Sequence, residues 1–304
     1  MSFTRTKVET RAFTEVEGHE LEMDIYYPPR QRADKACVIV LHGGGFFEGA
    51  RNDDWSLSAV RALIEKGFVV FSIDYRLGMQ NVGMFTTYSS PLRLHRLMDY
   101  CIGLAVEDCV SAIAYVYSRA EDFGVDREKI ILTGCSSGAI VALQMDYLGA
   151  NERLPYNNVL PKDWRPAAIV SYSGAVMCKN SDFHYHYPPT STMLFCSTKD
   201  KIVRPGRTPC SISKSFFGSK RIYRESAGDP GVFWLIEFPG VGHEVSMILP
   251  ETVDLFCAFA DRALAGKNGR LVATMNDARV VPTEWTTKTI FDLMKENSQK
   301  MGLS

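Results

Sequence analysis

Residues 129–139, Lys129-Ile-Ile-Leu-Thr-Gly-Cys-Ser-Ser-Gly-Ala139, constrain the fold of this chain more than any other stretch. Ile130, Ile131 and Leu132 form a short apolar run of strand length. Ile140, Leu143 and Tyr147 then recur at helical spacing, with Gly149 placed to stop the helix. Between strand and helix only a sharp turn fits, Gly134-Cys-Ser-Ser-Gly138, which matches G-x-S-x-G. In that pattern the central serine is held on a strained corner, and the flanking glycines let neighbouring backbone pass close to it. Ser136 is therefore expected to stand at the mouth of a sheet, at the positive end of a helix. Read alone, the same residues also describe a tight turn with a capping serine.

The remaining chain repeats the strand-to-helix rhythm. Leu21–Tyr27 alternates apolar and polar residues before Pro28-Pro29 ends it, suggesting an antiparallel entry into the sheet. Ala36–Leu41 is a fully apolar run, as in a strand covered on both faces. Helical spacing over 55–66 leads to strand 68–76. Helix 104–120, strands 167–172 and 193–197, helix 210–217, strand 232–238 and helix 252–264 follow. The alternation predicts an α/β fold, one doubly wound, mostly parallel sheet with helices on both faces. We read residues 1–304 as a single domain with its core at 36–264. The tail 265–304, helical over 287–295, is read as an accessory segment packed on the outside. Residues 77–103 break the rhythm, with Met79, Met84, Phe85, Tyr88, Pro91 and Met98 at no clean period. They read as a long loop leaning over the site or wrapping the surface.

The totals exclude several partners. Hydrophobic residues make up 46% of the chain, enough for a sizeable core, and the formal net charge of −1 offers no field to attract nucleic acid or an anionic membrane. No apolar run is long enough to span a bilayer. The first ten residues lack the apolar centre of a secretion signal, which predicts a cytoplasmic protein, or a secreted or periplasmic one if a signal has been removed. Eight cysteines stand singly at 37, 101, 109, 135, 178, 196, 210 and 257, without a C-x-x-C pair, and read as reduced thiols.

A serine hydroxyl is a poor nucleophile at neutral pH. Acyl transfer therefore needs a base to take its proton, an acid to orient the base, and donors for the developing oxyanion. His243, in Pro239-Gly-Val-Gly-His243 between the last strand and the last long helix, is the candidate base. Asp200, in the loop after strand 193–197, is the candidate orienting acid, at the same sheet edge. Their order, Ser136, Asp200, His243, is the one that accompanies a strand-to-helix serine elbow. His42-Gly-Gly-Gly45 follows another strand, and the N–H groups of Gly44 and Gly45, with that of Ser137, would form the oxyanion hole. His184 and His186 have metal-like H-x-H spacing but no evident third ligand, and we read them as an aromatic loop near the pocket. No metal and no cofactor are expected.

These motifs resemble the α/β-hydrolase superfamily over residues 36–264, and within it the HGGG-bearing esterases similar to the hormone-sensitive-lipase group and to bacterial acetyl and feruloyl esterases. The resemblance rests on His42-Gly-Gly-Gly45, Asp74-Tyr-Arg76, Gly134-Cys-Ser-Ser-Gly138, Asp200 and Gly242-His243. It implies a serine carboxylesterase in which Ser136 is nucleophile, His243 base and then acid, Asp200 its partner, and Asp74 to Arg76 a structural element near the site. Cys135 and Ala139 depart from the lipase group's acid before the serine and second glycine after the motif. The short interval from Ser136 to Asp200 leaves no space for a large lid. The expected substrates are small-molecule or carbohydrate esters with small or aromatic acyl groups, including acetyl or feruloyl groups on plant-polysaccharide sugars. Phe46, Phe47, Met79, Phe85 and Tyr185 would offer an apolar acyl site. Amide hydrolysis of the arylformamidase or peptidase kind, and a non-catalytic binding protein on the same fold, are the alternatives.

Overall fold

The computed structural model describes residues 6–80, 91–155 and 158–300. Strands β3 (Cys37–Leu41), β4 (Val69–Ile73), β5 (Ile130–Cys135), β6 (Ala168–Tyr172) and β8 (Thr192–Cys196) are buried from end to end, as strands covered by helices on both faces must be. With β1 (Lys7–Val16), β2 (His19–Tyr27), β11 (Val232–Glu237) and β12 (Gly269–Thr274) they form, among the described residues, one nine-stranded sheet of order β1-β2-β4-β3-β5-β6-β8-β11-β12. β2 pairs antiparallel with β1 and β4, and every other neighbour is parallel.

Successive residues of a strand face opposite ways, so each buried strand feeds two cores. Val38 and Val40 of β3 join α1 (Asp54–Glu65) and α5 (Leu249–Leu264) on one side. Ile39 and Leu41 join α2 (Pro91–Ser118), α3 (Ser137–Ala150) and α4 (Ser219–Glu225) on the other. The parallel register aligns the carboxyl ends, setting Leu41 beside Gly134 and Cys135 beside Tyr172. Strand order reverses between β3 and β5, where α/β sheets open the crevice that takes ligands. The loops leaving these two strands carry His42 and Ser136.

Three expectations change. Residues 210–217 do not form a helix. β9 (Arg207–Pro209) and β10 (Lys214–Gly218) join β7 (Ala175–Lys179) in a small antiparallel sheet of order β7-β10-β9. Ser215 and Phe217 are buried while Lys214 and Phe216 are less so, a period of two, and the pairing of Phe217 with Val176 comes from far upstream. The amide of Gln144 fastens this sheet to α3 by bonding both the N–H (2.8 Å) and the carbonyl (3.1 Å) of Met177.

Secondly, α2 starts at Pro91, where a proline suits the first turn, and the buried positions Leu97, Cys101 and Ala105 carry its stripe on into Cys109 and Ala112. Phe85, Met84 and Tyr88 lie outside the described residues. Thirdly, the tail is part of the architecture, because β12 extends the sheet beside β11 before the chain turns into α6 (Ile290–Lys300). All eight cysteines are free thiols. Among the described residues no helix is long and apolar enough to cross a membrane.

Candidate active site

The chain turns from β5 into α3 at Ser136, whose backbone sits at φ 49° and ψ −115°. A left-handed non-glycine residue costs roughly 1–3 kcal/mol and persists only where its surroundings fix it. Here they do. A Cβ on Gly138 would lie 2.2 Å from the Leu41 carbonyl oxygen, so only glycine lets α3 approach β3 this closely. Ser136 N–H donates to the Tyr172 carbonyl at 2.9 Å, and its own carbonyl accepts from Ile140 N–H at 3.0 Å. Phe46 and Ser173, at φ 66° and 58°, are two further left-handed non-glycines beside this corner.

The elbow serine, the loop after β8 and the loop after β11 converge. His243 Nε2 lies 2.9 Å from Ser136 Oγ, and its Nδ1 lies 2.8 Å from Asp200 Oδ2. All of Asp200's remaining capacity is satisfied: Ile202 and Val203 N–H each donate to Oδ1 at 2.9 Å, and the Ser173 hydroxyl donates to Oδ2. Burial opposes the Asp200 charge, but His243, Ser173 and the Val203 N–H outweigh it and hold the carboxyl below the usual carboxylate range. An ionised carboxylate on Nδ1 fixes the tautomer in which Nε2 faces the serine unprotonated, ready to accept a proton. The acid and base loops are also tied to each other, since the Ser197 hydroxyl donates to the Val241 carbonyl.

The glycine loop after β3 lies against the elbow, where a Cβ on Gly43 would come 2.8 Å from Cys135 Sγ. It is braced from β4. The Tyr75 hydroxyl donates to the His42 carbonyl at 2.7 Å and lies 3.2 Å from Ser137 Oγ, while its ring stacks on the His42 imidazole at 4.2 Å. Burial pushes His42 below the ordinary histidine value, so the ring is neutral, and its Nδ1–H donates to the Gly43 carbonyl at 2.7 Å. Asp74 accepts from Arg51 N–H at 2.8 Å, and Arg76 grips Asp108 of α2 at 2.9 Å, which anchors both flanks. Gly45 N–H is already committed to Ser137 Oγ at 3.1 Å. The N–H groups of Gly44 and Ser137 have no acceptor among the described hydrogen bonds, and the latter heads a helix whose first N–H groups lack intrahelical partners.

The apolar acyl surface expected of Phe46, Phe47, Met79 and Tyr185 is not what these side chains form. Phe46 and Met79 have no accessible surface and Phe47 is 6% exposed, all within the core beneath the glycine loop, where Met79 N–H donates to the Phe46 carbonyl at 3.2 Å. Tyr185 packs edge-on against Tyr147 at 6.0 Å, ten residues along α3 from Ser137 and so about 15 Å from the elbow. His184 and His186 share that distant loop, where Asn151 at the end of α3 donates to the His184 carbonyl at 3.2 Å, so the loop is not beside the pocket. Among the described residues no group of three or more His, Cys, Asp or Glu is placed to hold a metal ion.

Three residues of the site escaped sequence reasoning. Ser173 sits beside Asp200. Trp285, from a 3₁₀ turn at Glu284–Thr286, lies 6.0 Å from the His243 ring, and Glu244 is bonded to that same turn. Only the serine carried a signal, a polar residue just past an apolar strand at the same sheet edge; the other two depend on a contact with the tail.

An open parallel sheet with a serine elbow, and an acid and a histidine on the two following strand-end loops, defines an α/β-hydrolase. The chain belongs to the BD-FAE family, whose model matches residues 23–86 and 94–203. It is 31% identical over 120 residues, 40% of this chain and 23% of the relative, to a probable isoprenylcysteine alpha-carbonyl methylesterase of Oryza sativa subsp. japonica. It is 25% identical over 146 residues, 48% of this chain and 41% of the relative, to an arylesterase of Saccharolobus solfataricus. Both matches take in less than half of the relative's length. A solved structure described as a truncated carbohydrate esterase from gut microbiota superposes with a TM-score of 0.54 at 18% identity, covering 84% of this chain and 96% of the other, a likeness of fold.

Proposed function

We propose that this protein is a serine carboxylesterase that works through an acyl-enzyme. The observation that carries the reading is the unbroken hydrogen-bond chain from Asp200 through His243 to Ser136, ending on a serine strained into a strand-to-helix corner. Ser136 Oγ attacks the ester carbonyl as His243 Nε2 takes its proton. Asp200 holds the imidazole and stabilises its positive charge. Negative charge on the former carbonyl oxygen is met by the N–H groups of Ser137 and Gly44, each such donor being worth roughly 10²–10³ in rate. His243 returns the proton to the leaving alcohol, and water repeats the sequence to release the acid.

The substrates we assign are esters of small or aromatic acids, acetyl and feruloyl esters of plant-polysaccharide sugars among them. The names of the two sequence relatives, an arylesterase and a methylesterase, support ester chemistry. The test is hydrolysis of p-nitrophenyl acetate, butyrate and octanoate and of methyl ferulate by the wild type and by Ser136→Ala. The variant should lose roughly 10⁴–10⁶ of the rate. Equal, slow turnover by both proteins on every ester would sink the reading.

A further inference from the structure

Glu244 is nearly buried, follows the candidate base directly, and its carboxylate faces two ways. Oε2 accepts from Gly242 N–H at 2.7 Å, on the backbone that carries His243. Oε1 accepts from Thr283 N–H at 2.6 Å, from the Thr283 hydroxyl at 2.8 Å and from the Thr286 hydroxyl at 2.7 Å. Burial opposes its charge, yet the bonds from Thr286 and Thr283 outweigh it and hold the carboxyl below the usual range. Gly242 admits the tail this closely because a Cβ there would lie 2.4 Å from Thr286 Cα and 2.8 Å from the Trp285 carbonyl. Thr283 in turn caps the 3₁₀ turn that presents Trp285 to His243.

Lys288 keeps the indole in place, with its ammonium 4.6 Å over the ring and bonded to Glu284 and Glu296 at 2.9 and 3.0 Å. Behind the turn lies a cleft of about 370 Å³ lined by Met247, Val280, Val281 and Trp285. The tail is thus held to the His243 loop by the close backbone approach at Gly242 and by the carboxylate bonds of Glu244.

We infer that Glu244 is a positioning residue and that segment 283–286 belongs to the active site: the carboxylate staples this segment to the backbone beside His243 and seats Trp285 against the imidazole, holding the base between Ser136 and Asp200. This rests on the esterase reading. A carboxylate suits the task because it accepts on both oxygens, whereas a glutamine presents a donor on one of them. A small displacement of a catalytic base can cost on the order of 10²-fold in rate.

The experiment measures kcat and KM on the best ester, and the urea midpoint, for the wild type, Glu244→Gln, Thr283→Val/Thr286→Val, Trp285→Phe and Trp285→Ala. Glu244→Gln leaves an acceptor for the threonines but removes the one for Gly242, so kcat should fall about 10- to 100-fold with KM within threefold and the urea midpoint little changed. The double valine variant removes both hydroxyl bonds and leaves only that of the Thr283 N–H, and should lose kcat by a similar factor. Trp285→Phe should keep most of the kcat that Trp285→Ala loses. A Glu244→Gln enzyme with wild-type kcat while folded overturns the inference, as does a Trp285→Ala enzyme that raises KM alone. If the wild type has no ester activity that Ser136→Ala abolishes, the esterase reading itself fails; if it has, the Glu244 variants judge the staple alone.

Discussion

Ser136 and His243 meet at 2.9 Å, yet they are held there in unlike ways. The serine is fixed by shape. One contiguous stretch, residues 130–150, makes its strand, its strained corner and its helix, and glycine lets the backbones of β3 and α3 touch. The histidine is fixed by polar bonds drawn from separated segments: Asp200 with its own donors, Ser173 beyond β6, Ser197 on Val241, and Glu244 with the tail. Crowding on the serine side should damage the fold, whereas removing a hydroxyl or a charge on the histidine side should damage the reaction in a protein that still folds.

The largest effect we expect is in rate on the histidine side. Asp200→Asn should lower kcat by on the order of 10⁴ through the wrong imidazole tautomer, while the urea midpoint moves little. A loss under tenfold in ester assays would mean that His243 keeps its orientation without the carboxylate. Gly138→Ala is the counterpart on the serine side. A methyl group 2.2 Å from the Leu41 carbonyl cannot be absorbed by a side chain, and the change should cost about 3 kcal/mol in urea unfolding. A stable Gly138→Ala protein that is merely inactive would erase the contrast.

Ser173→Gly gives a finer cut, because glycine tolerates the left-handed backbone and only the hydroxyl is lost. One charge-assisted bond to Asp200 disappears, and kcat should drop about tenfold with stability nearly unchanged. The smallest effect concerns pH. His42 is held below 6.5 by burial, so the unfolded chain takes up its proton first as the pH falls. Its contribution to stability is complete above pH 6.5 and is lost as the pH falls through the lowered value of the folded state. The urea midpoint should therefore be lower at pH 5 than at pH 7, and less so in a His42→Gln variant. Equal slopes for the two proteins would show that the buried ring takes up its proton without cost.

The legible part of this molecule is the part written in contiguous residues. The apolar runs Ala36–Leu41 and Ile130–Leu132 read as buried strands, and Gly134 to Gly138 as a sharp corner once a helix followed. The β7-β10-β9 sheet escaped because Lys214–Gly218 draws its hydrogen bonds from Ala175–Lys179, and neither short segment signals a partner so far away. The apolar residues proposed for an acyl surface were misplaced for a related reason. Composition marks Phe46 and Met79 as hydrophobic, but which side of the glycine loop they face is settled by how that loop packs on β4 and α2.

By itself the sequence determined the doubly wound sheet, the serine corner and the order of serine, acid and histidine along it, because local periodicity and glycine sterics act between near neighbours. Only the tertiary structure decided that Ser173 completes the shell of Asp200, that Gly45 N–H is spent on Ser137, and that the tail reaches back through Glu244 to set Trp285 beside His243. Those are contacts between residues far apart in the chain. Their partners become identifiable only after the parallel register has brought the strand ends to one edge.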